Sequence, residues 1–142
     1  MATGSSQTTA LVVAFVVGVG VGWAIGTYTA TPGTIFSVVV GPSASDVFPS
    51  SVTLSRGHGD MATWTAKDPG KTLFIEFTEQ PFQGMQPQTG TGRYRVACQG
   101  GRCDSGSISQ SAPYKDYKYW QTLVDVTTNQ QDTADGHIII NR

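Results

Sequence analysis

Charge is missing from the start of this chain. Asp46 is the first charged side chain, so the opening 45 residues carry none. Residues 1–9 (MATGSSQTT) hold no Lys or Arg, which removes the basic start of an ordinary signal peptide. The same absence leaves the positive-inside rule with nothing to read. Over the whole chain nine Lys and Arg face ten Asp and Glu, a net charge of -1. There is no basic run to hold nucleic acid and no acidic tail to gather cations.

Metal ligands and nucleophile motifs are just as scarce. The chain has two His and two Cys. His58 and His137 lack the paired spacing of common zinc sites. Cys98 and Cys103 enclose Gln-Gly-Gly-Arg, a C-x4-C spacing rather than the C-x-x-C of redox enzymes. In an exported domain that spacing predicts a structural disulfide pinning a turn. No Gly-x-Ser-x-Gly motif marks a hydrolase elbow. The expectation is a protein that is not an enzyme, with no catalytic residue, no metal site and no cofactor.

What the opening does have is apolar length. Ala10 to Gly26 reads ALVVAFVVGVGVGWAIG, polar only at the Trp23 indole. Thr8 to Tyr28 as a helix would span about 32 Å, close to a bilayer's hydrocarbon thickness. This predicts a tail at 1–9, a transmembrane helix at 10–28, a linker at 29–33 and a domain at 34–142. Ala10, Ala14, Gly18, Gly22 and Gly26 recur every four residues and predict a face for close helix packing. Trp23 and Tyr28 suit the membrane interface. The cysteines favour an oxidising compartment, so the N-terminus is expected in the cytoplasm. The domain is then expected outside an inner (cytoplasmic) membrane, in the periplasm. Cleavage at Ala24-Ile25-Gly26 is the alternative, and would yield a secreted binding domain.

After Pro32 the apolar period becomes two. Strands are expected at Thr34–Val40, around Val52 and Leu54, and around Ala62 and Trp64. Further strands are expected at Leu73–Phe77, Tyr94–Cys98, Tyr119–Val126 and 137–140. Turn signals separate them, and Pro69-Gly70 suits the centre of a type II turn. One short helix or irregular loop is expected within 79–90 or 109–117. Seven or so short strands imply an all-β sandwich. Tyr114, Tyr117, Tyr119 and Trp120 cluster with Lys115 and Lys118. Strand alternation should bury some of these rings and expose others. Tyr114, Lys115, Tyr117 and Lys118 are therefore candidates for protein contact. Phe82 and Met85, at the tips of an apolar loop, form a second candidate.

The segment SSVTLSRGHGDMATWTAKD at 51–68 resembles the opening of the plastocyanin-like cupredoxins. Tyr117-Lys118-Tyr119-Trp120-Gln121 resembles that family's Tyr-x-Tyr-x-Cys strand, and Asp135 to Ile140 its closing Gly-x-Ile strand. The likeness covers about half the domain, at both ends. It implies a cupredoxin-like β-sandwich, and also where copper ligands would fall: Thr72, Gln121, Val124 and Ala134. None of these supplies the thiolate, imidazoles or axial sulfur of a blue-copper site. The resemblance therefore implies a scaffold without its metal. The expected role is a non-catalytic, membrane-anchored accessory subunit. Its partners would be other membrane-protein subunits, with lipid around its helix and no nucleic acid. An electron-transport complex, photosynthetic or respiratory, is a setting implied by fold analogy alone. An electron-transfer or metal-carrying protein with an unconventional site is the rival expectation.

Overall fold

The computed structural model describes residues 33–142. Eleven strands run through them: β1 (Ile35–Val40), β2 (Val47–Phe48), β3 (Ser51–Ser55), β4 (Met61–Ala66), β5 (Lys71–Phe77), β6 (Gln86–Pro87), β7 (Tyr94–Arg95), β8 (Ala97–Gln99), β9 (Arg102–Asp104), β10 (Lys115–Asp125) and β11 (Gln131–Asn141). No helix occurs among the described residues. The expected membrane helix and its packing residues Ala10, Ala14, Gly18, Gly22 and Gly26 lie outside them.

The strands form two mixed sheets. The first has order β2-β1-β4-β9-β8 and the second β3-β11-β10-β5-β7-β6. Two neighbours are parallel, β1 with β4 and β3 with β11, and the other pairs are antiparallel. Period-two patterning explains the layering. Leu73, Ile75 and Phe77 of β5 are buried, as are Tyr117, Tyr119, Gln121 and Leu123 of β10. From the first sheet Val38, Val40, Ala62 and Trp64 enter the same core.

Aromatic edges join the two layers. Trp64 meets Tyr119 at 5.5 Å and Phe77 at 6.4 Å between ring centroids, both edge-on. Phe82 packs edge-on against Phe77 at 5.5 Å. Each such side chain contributes roughly 1.5–3 kcal/mol through burial. One polar bond also crosses the core, from Gln121 Nε2 to the Ala44 carbonyl at 2.6 Å.

The loops are fastened by side chains. Buried Asp60 accepts from the Thr34 and Ser55 backbone N–H groups at 2.9 and 2.8 Å, tying β1 to the end of β3. Arg56 donates to the Gln110 and Ala112 carbonyls, which holds the segment before β10.

Residues 79–90 and 109–114 are irregular, in line with the irregular-loop alternative, apart from the two residues of β6 and a bridge between Phe82 and Ile108. Other expectations need correction. β10 begins at Lys115, inside the expected 109–117 segment, and β11 begins at Gln131, well before the expected 137. Gly70 does not take the positive φ that a type II turn requires, although Lys71 N–H still closes the turn on the Asp68 carbonyl. Residues 94–99 are not one strand. β7 pairs in the second sheet, Val96 N–H bonds Ile75, and β8 continues in the first sheet. The chain changes layers there because buried Val96 turns into the core between two half-buried ends.

Candidate functional site

The outward side chains of β5, β10 and β11 share one sheet face. On β5 these are Phe74 and Glu76, on β10 Lys118, Trp120 and Thr122, and on β11 Asp135 and His137. Their inward neighbours fill the core, so alternation alone dictates the set. Register places Trp120 between Glu76 and Asp135.

Cations cover the aromatic rings. The Arg93 guanidinium lies 4.0 Å from the Trp120 ring centre, and Lys118 Nζ lies 5.6 Å from it. Arg95 stacks over Phe74 at 4.2 Å and pairs with Glu76 at 3.2 Å. Lys118 reaches Asp135 at 3.0 Å. The Lys118 hydrogen bond and charge hold the Asp135 carboxyl below its ordinary range. His137 Nδ1 sits 3.0 Å from Asp116. The Lys118 and His137 pairs are solvent-exposed and add little to folding. Their consequence is a face of alternating charge around a half-buried tryptophan. Trp and Arg are the residues that most often anchor protein interfaces.

This face also holds a serine that sequence spacing did not connect to histidine. Ser51 of β3 is the register partner of His137, which itself meets Asp116. No hydrogen bond joins the Ser51 hydroxyl to the imidazole, so the three do not form an activated nucleophile.

The other expected contact residues divide. Phe82, Met85 and Tyr117 are buried, which corrects their assignment to an exposed surface. Phe82 and Met85 fold inward because the 79–90 segment closes one end of the core. Tyr117 is an inward position of β10, its hydroxyl donating to the Pro113 carbonyl at 2.7 Å. Burial pushes the Tyr117 and Tyr119 hydroxyls up. Tyr114 remains exposed, with Arg56 stacked 4.1 Å from its ring centre. Exposed Lys115 pairs with Glu79 at 2.7 Å, and that bond raises its pKa. Sequence reasoning overlooked Arg93, Arg95 and Phe74. The two arginines were legible only as the polar side of a strand, and their ring partners come from β5 and β10.

Cys98 and Cys103 form a disulfide. They are directly opposed across β8 and β9, next to the Gly100-Gly101 turn. Gly100 takes φ 57°, which suits the first central position of a II′ hairpin turn.

The positions where the cupredoxin resemblance implies copper ligands can be tested for fit. Thr72 and Val124 are register partners, as are Gln121 and Ala134. They offer one hydroxyl, one amide and two aliphatic groups. The amide nitrogen already donates to Ala44. Both cysteine sulfurs are committed to the disulfide, and His137 points outward on the charged face. Among the described residues no three His, Cys, Asp or Glu side chains gather as a metal site would need. This donor set does not fit a blue-copper ion.

No protein-family model matches the chain, and no curated protein matches it in sequence.

Proposed function

We propose that this protein is a non-catalytic accessory subunit of a larger membrane complex. It is anchored by residues 10–28 and carries an outward-facing cupredoxin-like domain without copper. Electron-transport assemblies, photosynthetic or respiratory, are the setting that fold analogy suggests. The observation that carries the reading is Trp120, half-buried at the centre of a sheet face and flanked by Arg93, Lys118, Glu76 and Asp135. Such a face offers a rigid aromatic anchor with directional charges around it, the composition of an interface centre. The charge-free run Ala10–Gly26 supports the anchor. The disulfide supports a periplasmic domain.

Photo-crosslinking in native membranes tests the contact. A crosslinker at position 120 of the full chain is expected to give discrete adducts with membrane-protein subunits. One at Val126, exposed in the turn just after β10, is expected to give none. Equal labelling at both positions would remove the interface assignment.

A further inference from the structure

The outer face of the first sheet has the opposite character. Phe48 on β2 is 80% exposed, Ile35 on β1 58% and Val39 41%. Register sets Val39 beside Phe48 and Ile35 beside Met61. The remaining outward positions of β1 and β4 are Ser37, Thr65 and Thr63, the last buried where its hydroxyl donates to Asp104; they pair with one another or with Val39 and carry no charge. Charge returns only on β9, where Arg102 pairs with Asp104 at 3.1 Å. A shallow groove of about 290 Å³ separates that pair from Ile35 and Met61. Half of this sheet is thus an uncharged surface, apolar at Ile35, Val39, Phe48 and Met61 with hydroxyls between them, bordered by one ion pair.

An exposed apolar row of this kind marks a contact surface. The chain itself limits what can cover it. Ile35 follows Tyr28, the end of the expected span, by seven residues. Fully extended, seven residues reach about 25 Å. A helix held in the bilayer therefore keeps the start of β1 near the lipid surface at high effective concentration. The row also lacks the directional charges of the opposite sheet, and lipid requires none. With a net charge of -1 the chain has little electrostatic pull toward anionic headgroups, so insertion must be apolar.

We propose that the outer face of the five-stranded sheet rests on the membrane surface. Phe48, Val39 and Ile35 enter the boundary between headgroups and acyl chains, and Arg102 lies at the headgroup rim. The inference rests on the anchored reading given above. It divides the domain into a lipid face and a protein face on opposite sheets.

Full-length chain in phosphatidylcholine vesicles tests it. Single cysteines at Phe48, Val39 and, on the opposite sheet, Thr122 are labelled with an environment-sensitive dye under non-reducing conditions, which protect the native disulfide. Spin-labelled phosphatidylcholine serves as quencher. The dye at 48 and 39 is expected to be blue-shifted and quenched several-fold more than at 122. Quenching at 48 no stronger than at 122 would overturn the lipid face. A blue shift without lipid quenching would also overturn it, because protein would then cover the row. Alkaline carbonate extraction of the same vesicles separates the two readings. Release of the chain refutes the anchor itself, whereas retention with an unquenched position 48 refutes only the lipid face.

Discussion

Gly136 shows how one missing side chain shapes the core. It stands opposite Tyr119 in the β10–β11 ladder, and a Cβ there would collide with the Tyr119 ring. The ring lies across the glycine, and that places its hydroxyl beside Trp64. Gly136→Ala should therefore destabilise the domain by about 1–3 kcal/mol through overpacking. Gly57→Ala is the control, because a Cβ there meets only ordinary contacts, the nearest at 3.7 Å. Urea unfolding of both variants should separate them clearly. Equal stability would mean that Tyr119 has room to move.

Asp125 gives the acid response of the β10–β11 turn. Its carboxylate accepts the Thr127 and Thr128 N–H groups at 2.8 and 2.9 Å. Those bonds hold its folded pKa below the ordinary 3.8. A lowered carboxyl stabilises the fold above its unfolded pKa. That contribution is lost as pH falls through the folded value. Asp104, lowered chiefly by the Arg102 bond, acts with the same sign. Thermal stability should accordingly drop as pH falls below about 4, the ordinary carboxyl range. Asp125→Ala should lower stability at pH 7 and flatten that drop. A steeper drop in the variant would contradict the assignment. The sequence suggests a turn at Gly136, whereas the structure places it mid-strand in β11; its partner ring was not legible either, because register across strands leaves no mark on one strand's composition.

At the scale of elements, the alternating strands were readable in place but not in length: β10 begins four residues before the expected Tyr119 and β11 six before the expected 137, and the two-residue strands were not readable at all. β5 and β10 alternate strongly, and burial follows that alternation residue by residue. β2, β6 and β7 have two residues each, and their pairing depends on neighbours distant in sequence. The same limit explains Phe82 and Met85. An apolar loop looks alike in sequence whether its tips face solvent or close a core. Tyr117 has the inward parity of Tyr119 and was missed because β10 extends further toward its start than expected. The β8–β9 hairpin is the element with the clearest local signal, two glycines between two cysteines. Its disulfide should contribute roughly 2 kcal/mol on the chain-entropy model for so short a loop. The double change Cys98→Ser and Cys103→Ser should lower the urea midpoint accordingly. Edge strand β8 should then lose hydrogen-exchange protection first, since β9 is its only sheet neighbour. Uniform loss of protection across both sheets would show that the hairpin is not a separate opening unit.

For the whole molecule, an all-β class and two layers were legible from period and punctuation, whereas the partition of charge between layers was not. One sheet shows Trp120, Phe74 and paired charges, and the other Phe48, Val39 and Ile35. Only the strand order assigns those residues to opposite sides. The positions implied by the cupredoxin resemblance fall on two rungs of β10 three residues apart, Gln121 with Ala134 and Val124 with Thr72, so the strand's alternation turns the two pairs to opposite faces of the sheet. With Thr72, Gln121, Val124 and Ala134 there, the purified protein should bind no copper tightly. A one-to-one complex with a strong visible band would support the electron-transfer rival. The central claim is assembly through an outer face, and native electrophoresis of mildly solubilised membranes tests it most directly. The full-length chain should migrate in a complex far larger than its own 15.1 kDa. The double variant Arg93→Ala and Trp120→Ala should leave that complex while keeping its fold and its place in the membrane. A wild-type chain that migrates alone, or a variant that stays fully assembled, would contradict the account.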